Sequence, residues 1–443
     1  MKIPVQPPVF SDLLQAHAPL LGDLLRRRLG PEVRGAYEHW DHLRHLTPPQ
    51  GLTVEQWWLG IKLARSAAAR DLPLRDRGGK PFRIAITDSM ASKLHLITQQ
   101  ASGSLRGLDQ IEDERSRQKF VMRSQIEEAM TSSQLEGAGT TRAVAKQMLR
   151  SGRHPKDRSE RMIYNNFLAM QELRRWRDQP LTPDAVLEIH RLVTDGTLDD
   201  PGQSGRLRTQ EDNVVIEDEV GRLLHLPPHA HELPQRLQAL CDFANGVNEQ
   251  GFLHPVVRAI AIHFQIGYDH PFCDGNGRTA RTLFYWSMLR SGYWLAEFLS
   301  ISSVFKQAKA QYLRAYLHTE TDESDLGYFV DHHLDVIVQA MEGLHAYLAR
   351  KVQERSHAEI LLKPASKLGA RLNHRQRELL LDAVRHPGKV YRIDRHMQVH
   401  GVTYQTARTD LSVLVELKLM HCQRMGRAFI YSPVADLAEK LKK

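Results

Sequence analysis

Cysteine is scarce in this chain: Cys241, Cys273 and Cys422 are the three in 443 residues, and no two have metal-site or disulfide-framework spacing. That excludes a fold stapled by disulfides and suits a reducing cytoplasm, which is the expected location. Long apolar runs are missing too. No stretch approaches the length needed to cross a bilayer, and the N-terminus lacks a charged start followed by an apolar run, so neither a membrane span nor export is expected. What is present, 42% hydrophobic and 25% charged residues, is the composition of an ordinary soluble globular protein of two or three domains. His225, His229 and His231 follow one another around two prolines without the helical spacing of a zinc site, and are expected at the surface.

Charge is unevenly spread. The formal net charge is +8, and residues 366–443 alone carry 15 Lys+Arg against 7 Asp+Glu, so the basic character belongs to that segment. Three regions are expected. Residues 1–110 hold helical stretches, such as Ser11 to Leu29 and Thr53 to Ala69, broken by a glycine-rich run ending at Pro81. Residues 111–350 are mainly helical, with apolar stripes at Val257, Ile260, Ala261, Phe264 and Tyr268 and at Ala280, Leu283, Phe284 and Met288. Thr182-Pro183-Asp184 reads as the cap and first turn of a further helix. Residues 366–443 form the third region.

Between the two stripes, residues 270–281 read His-Pro-Phe-Cys-Asp-Gly-Asn-Gly-Arg-Thr-Ala-Arg. Pro271 disfavours helical geometry for His270, which should leave its helix and present its imidazole at a loop edge. Gly275 and Gly277 flank Asn276, so the backbone can turn sharply and aim several N–H groups at one point. A helix starting there adds its own free N–H groups to the same anion site. Arg278 and Arg281, three apart, can both reach a polyphosphate, and Asp274 can hold a divalent cation between phosphate oxygens. Each residue alone is ordinary turn chemistry; their joint occurrence in twelve positions points to function.

This segment resembles, position for position, the signature of Fic-domain proteins, His-Pro-Phe-x-Asp/Glu-Gly-Asn-Gly-Arg-x-x-Arg. The resemblance implies a mainly α fold, a helical bundle with a β-hairpin flap, and transfer of AMP from ATP to a hydroxyl of a target protein or of the chain itself. It implies His270 as the base, Asp274 as ligand of Mg²⁺ (or Mn²⁺), Gly275, Asn276 and Gly277 as the phosphate-binding turn, and Arg278 and Arg281 on the phosphates. Phe272 would be a buried anchor, and Cys273 falls on the variable position. The chemistry agrees: a hydroxyl is a weak nucleophile that an imidazole can deprotonate, and charge building on pyrophosphate calls for N–H groups, arginines and a metal ion.

Residues 132–137, Ser-Ser-Gln-Leu-Glu-Gly, resemble the family's inhibitory pattern Ser/Thr-x-x-x-Glu-Gly/Asn, with Ser132, Glu136 and Gly137 on its fixed positions. The resemblance implies an inhibitory helix over about 123–137 in which Glu136 pairs with Arg281 and keeps ATP out of a productive pose. A flap is expected over about 213–226, with Asn213, Val214, Val215 and Ile216 as the edge that would hold a target peptide by strand addition.

The third region reads as helix, short extended run, helix, turn at Gly401, helix, and two strands around Met425-Gly426-Arg427, which resembles a winged helix-turn-helix. Tyr404, Gln405, Arg408 and Thr409 would face a DNA groove, with Arg424 and Arg427 on phosphates. A protein partner is the alternative for that surface. The N-terminal region makes a homodimer plausible. Two other functions stay open from the sequence: a DNA-binding regulator that senses a nucleotide at this site, and transfer of another phosphate-linked moiety.

Overall fold

A computed structural model describes residues 2–101, 114–218, 220–249, 251–362, 368–386, 389–425 and 428–441. They fall into two compact units, the first made of residues 2–101 and 118–342 and the second of residues 114–117 together with those from 343 on. The boundary expected at residue 110 lies outside the described residues, as do 366 and 367, where the third region was expected to begin.

In the first unit, α1 (Phe10–Ala16), α2 (Leu21–Arg26) and α3 (Trp40–Leu43) are short helices packed on α4 (Val54–Ala68). Thr53 opens α4 with a reciprocal cap: its hydroxyl accepts the Gln56 N–H, and the Gln56 side chain accepts the Thr53 N–H. Leu13, Leu24, Leu43, Trp58, Leu59 and Ile61 form the core between these helices. The sequence reading has only a helix break next. The structure instead has an antiparallel hairpin, β1 (Arg70–Arg75) and β2 (Pro81–Ile84), with the glycine-rich run as its turn. Leu72, Leu74, Phe82 and Ile84 are buried in strand alternation, which decides the outcome.

Helices α5 (Asp88–Ala101), α6 (Glu114–Leu135), α7 (Arg142–Ser151), α8 (Arg158–Trp176) and α9 (Pro183–Thr194) follow, then a small hairpin of β3 (Ile216–Glu217) and β4 (Leu223–His225). Thr182 caps α9, accepting the Ala185 N–H, with Pro183 in the first turn as the sequence predicts. The remaining helices are α10 (Leu233–Asn245), α11 (Pro255–Asp269), α12 (Asn276–Arg290), α13 (Ile301–Gln307), α14 (Lys309–Thr321) and α15 (Gly327–Leu361). Nearly every residue of α11 and α12 is buried, so this pair is the centre of the unit, with α8 and α9 against α12.

A buried polar cluster ties α4 to the turn between α14 and α15. Lys62 Nζ lies 2.8 Å from an Asp322 carboxylate oxygen, and Arg65 donates to the Tyr328 hydroxyl at 2.6 Å and to the carbonyls of Pro31 and Glu38 at 2.9 Å. Burial pushes the Asp322 carboxyl up, but the Lys62 ammonium and the Tyr328 and Arg65 groups outweigh it and hold Asp322 below the usual carboxylate range.

In the second unit, α16 (His374–Arg385), β5 (Tyr391–Arg392), α17 (Ile393–His400), α18 (Tyr404–Glu416), β6 (Met420–Met425) and β7 (Ala428–Pro433) follow in order, the strands forming a sheet of order β5-β7-β6. Gly401 ends α17 in the left-handed region, and Thr403 caps α18. Leu379, Leu380, Ile393, Ala407, Leu411 and Leu414 make its core. Asp410 on α18, 3% exposed, accepts from Asn373, Arg375 and His396, locking the three helices together. Among the described residues no helix is long and apolar enough to cross a membrane.

Lys62→Met should destabilise the protein by about 3 kcal/mol in a denaturant titration, because it leaves Asp322 as a buried charge without its ammonium. Since the Asp322 pKa is depressed, the pair's contribution is fully present above the unfolded carboxylate pKa. It is lost as pH falls through the folded value, so the gap between wild type and variant should narrow in acid.

Candidate active site

The loop between α11 and α12 is shaped by its own side chains. His270 ends α11 in the left-handed region (φ 45°, ψ 57°), its N–H still bonded to Ile266. Asn276, the first residue of α12, accepts the Phe272 N–H at 3.0 Å through Oδ1 and donates to the Phe272 carbonyl at 2.8 Å through Nδ2. Its side chain therefore closes the loop, and what it offers an anion is its backbone N–H. Gly275 has φ 83°, and a Cβ there would come 2.5 Å from the Thr194 methyl. Phe272 is fully buried, stacked on His190 at 3.7 Å. His190 Nδ1 accepts the Gly205 N–H at 2.9 Å, so its Nε2–H donates to the Asp274 carbonyl at 2.9 Å. Burial lowers His190 to about 4, which keeps this single tautomer. His190 is a residue the sequence reading missed, although a histidine among Val186, Ile189 and Val193 on one face of α9 marks it.

His270 Nδ1 lies 3.2 Å from the Gly267 carbonyl, which can only accept, so Nδ1 carries the hydrogen and Nε2 keeps a lone pair. Burial pushes the imidazole down to about 4; the Gly267 bond and the Glu136 charge oppose this, and His225 and Arg208 add to it. Arg208, also missed, holds the backbone here. It donates to the carbonyls of His270 (2.8 Å), Pro228 (2.6 Å) and Asp269 (3.3 Å), and its own N–H bonds the Pro271 carbonyl at 2.9 Å. A guanidinium at the end of α11 also meets the helix's negative pole. His225 is not at the surface as expected: it is 8% exposed, with Nε2 2.6 Å from the Tyr268 carbonyl and Nδ1 2.7 Å from Glu320. It pins β4 to the last turn of α11.

Both signature arginines are buried, Arg278 at 0% and Arg281 at 2% exposure. Arg278 donates one bond, to the Val193 carbonyl at 2.7 Å; its Nε and Nη2 have no hydrogen-bond partner among the described residues. Those orphan donors, at the N-terminus of α12, are what an anion would satisfy. Arg281 is held by the last turn of α6 and the residue that follows it: Nε donates to the Ser132 hydroxyl at 2.7 Å, and Nη2 to the Ser132 carbonyl at 3.1 Å and to the Glu136 carboxylate at 2.8 Å. Burial raises the Glu136 carboxyl, but the charge and hydrogen bond of Arg281, with help from Arg278, bring it below its ordinary value. A Cβ at Gly277 would overlap the Glu136 carboxylate, so Glu136 lies directly on the glycine turn. Gly137, φ 94°, lets the chain leave α6 at once. The half-exposed Asp274 carboxylate sits 3.5 Å from Arg278 and 3.8 Å from Arg158.

The expected flap is shorter than the sequence suggests. Only Ile216 of its four named residues is in a strand; Asn213 is left-handed (φ 45°) after a turn capped by Thr209, and Val214 and Val215 lead into β3. In the second unit, Tyr404, Gln405, Arg408 and Thr409 share the exposed face of α18, and Arg424 is exposed on β6; Arg427 lies outside the described residues.

The loop that joins the central helix pair is the segment whose sequence resembles the Fic signature. Comparison with known proteins agrees: the Fic/DOC family pattern matches residues 180–288, and the chain carries a Fic domain. It is 33% identical over 117 residues to Protein adenylyltransferase Fic of Nematostella vectensis, covering 26% of this chain and 25% of that protein. It is 34% identical over 129 residues to Protein adenylyltransferase fic-1 of Caenorhabditis elegans, covering 29% and 23%. The chain thus spans about a quarter of the length of the curated relatives it matches. Among solved structures, a Fic family protein from Desulfovibrio desulfuricans G20 aligns with a TM-score of 0.49 at 19% identity, over 78% of this chain and 94% of that one.

An NMR-monitored titration should find the His270 imidazole changing protonation near pH 4 rather than near its ordinary value. Glu136→Gly removes a charge that favours the imidazolium, so the midpoint should drop further; a midpoint above 6 would mean the ring is solvated.

Proposed function

We propose that the chain is a protein adenylyltransferase, moving AMP from ATP to a hydroxyl of a target protein or of itself, and that Glu136 restrains it. The observation that carries this reading is the state of the two arginines: Arg278 is buried with Nε and Nη2 making no hydrogen bond among the described residues, its ion-pair partner there the Asp274 carboxylate at 3.5 Å, and Arg281 is held by Glu136. A site built for a polyphosphate has one position open and the other filled by the chain's own carboxylate. The names of the matched relatives support AMP as the transferred group.

In this mechanism the backbone N–H groups of residues 275–277 and the N-terminus of α12 receive the phosphates, with Arg278 and Arg281 beside them. Arg281 can pair with the γ-phosphate only once Glu136 has moved away. The target hydroxyl attacks the α-phosphorus, its proton passes to Nε2 of His270, and the bond from the α-phosphorus to the bridging oxygen breaks, releasing pyrophosphate. Being neutral at physiological pH, His270 is ready to accept that proton. The Gly267 carbonyl fixes its ring, and Arg208 fixes the backbone that carries it. A Mg²⁺ ion, which neutralises phosphate charge when bound, fits the single carboxylate of Asp274, because this ion is held by one or two carboxylates together with substrate phosphates and water. The hairpin of β3 and β4 offers a target peptide an edge for strand pairing.

For the second unit we propose a winged helix-turn-helix that binds DNA. The order of helices and strands, the exposed face of α18 and the basic charge of residues 366–443 support it.

Incubation with Mg²⁺ and ATP labelled at the α-phosphate should leave wild type and cell lysate nearly unlabelled. Glu136→Gly should raise labelling at least about tenfold, the loss of one charged inhibitory contact being worth that much. The double variant Glu136→Gly/His270→Ala should return it to background. Absence of label from Glu136→Gly, with ATP still bound, would refute AMP transfer. For DNA, affinity for duplex should fall steeply as salt rises, through counterion release; a flat response would instead indicate a protein partner.

A further inference from the structure

Behind Arg281 lies a buried polar chain that the mechanism does not use. His333 and His263 are both fully buried, and burial drives each well below the ordinary histidine value, so both rings are neutral. A neutral imidazole has one donor and one acceptor, which fixes every hydrogen in the chain. His333 Nδ1 is 3.2 Å from the Phe329 carbonyl, an acceptor only, so it carries the hydrogen. His333 Nε2 must then accept from His263 Nδ1, 3.0 Å away. That leaves His263 Nε2 as an acceptor, and the Tyr312 hydroxyl, at 2.9 Å, must donate its only hydrogen to it.

The outcome at Tyr312 is an oxygen whose hydrogen is committed to His263 and whose lone pairs are free for other donors. Two donors are near: the Tyr316 hydroxyl at 3.5 Å, and the Arg281 guanidinium, which lies within interaction range of the phenol. Tyr312 is 8% exposed, and its ring is stacked on Phe305 at 4.3 Å. Its ring thus has little freedom to move, and the bond to His263 sets the direction of its hydroxyl hydrogen. Tyr316 extends the contact to the base: its hydroxyl occupies the space that a Cβ on Gly267 would need, against the residue whose carbonyl orients His270.

We propose that Tyr312, oriented by the buried His263–His333 pair, is a positioning residue that holds the Arg281 guanidinium for a phosphate once Glu136 has withdrawn. With Glu136 in place, Arg281 has its own anion and needs no further anchor. Without it, a buried arginine bonded to Ser132, with Glu128 as its remaining acidic neighbour but no carboxylate hydrogen-bonded to it, would lose its direction. The inference rests on the reading that Arg281 meets the γ-phosphate, and the two are separable by experiment.

The test is equilibrium binding of MgATP and MgADP to full-length Glu136→Gly, compared with the same protein carrying Tyr312→Phe, His263→Leu or Arg281→Ala. Tyr312→Phe keeps the ring packing and removes only the oxygen. It should weaken ATP about tenfold, as expected for one hydrogen bond to a charged group, and leave ADP, which lacks the γ-phosphate, within about twofold. His263→Leu frees the Tyr312 hydroxyl to rotate and should act in the same direction with a smaller effect. Equal losses for both nucleotides, or no loss for either, would overturn the proposal; melting temperatures identify a general loss of structure. If Arg281→Ala leaves the preference for ATP over ADP unchanged, the γ-phosphate reading itself fails and the proposal goes with it. If Arg281→Ala removes the preference and Tyr312→Phe does not, the proposal alone fails.

Discussion

A guanidinium that is 98% removed from solvent has to be matched by negative charge, and Arg281 sets that demand at the centre of the first unit. Leaving such a charge unpaired costs several kcal/mol. The chain meets it with Ser132 in the last turn of α6 and Glu136 just after it, which supply a hydroxyl, a carbonyl and a carboxylate. α6 is itself docked by Glu128, a buried carboxyl on the Ser300 hydroxyl and on the N–H and hydroxyl of Ser302. In the proposed reading a nucleotide does not create a favourable charge pair where none existed. It replaces one anion with another, so the balance between restrained and active states can be tipped by small forces on α6.

The electrostatic pattern around the loop follows from the same burial. Histidines at 190, 263, 270 and 333 are all pressed towards the neutral form, while the two arginines, with intrinsic pKa values far above physiological pH, stay charged. Desolvation therefore separates the groups: the imidazoles become fixed donors and acceptors, with His270 the base in the proposed reading, while the arginines, including Arg208 on the His270 backbone, keep the positive charge. A histidine that could gain a proton in this region would add to that charge and lose its acceptor. The depth of the site prevents that.

The loop itself was legible in the sequence because its geometry is local: Pro271 after His270, and glycines bracketing Asn276, act on their neighbours. Helix starts at Thr53 and Thr182 were legible for the same reason. The parts that were not legible act across the fold. Arg208 meets the carbonyls of residues 228, 269 and 270, and His225 meets Tyr268 and Glu320; no spacing rule connects such positions. For the first hairpin the sequence reading has only a break at the glycine-rich run ending at Pro81; Pro73 lies inside β1, where the register is irregular between Asp71 and Arg75 and a proline is tolerated. The second hairpin was read too long because Asn213 and the Thr209 turn use local side-chain bonds that end the extended chain early. For Asn276 the sequence placed the residue correctly but not its side chain, which is spent on Phe272.

Gly277 shows why restraint and phosphate binding would be hard to separate in this architecture. The Glu136 carboxylate lies where a Cβ at 277 would be, and a phosphate drawn to the N-terminus of α12 would need the same bare backbone. Two anions of different origin therefore depend on one missing side chain. A residue larger than glycine would push out the carboxylate and crowd the phosphate together, releasing the restraint only by damaging what it restrains. Relief without that damage has to come from the other side of the contact, through Glu136 itself or the docking of α6. In the proposed reading, the path to activity is thus a movement of Glu136 and the helix before it and not a change in the loop.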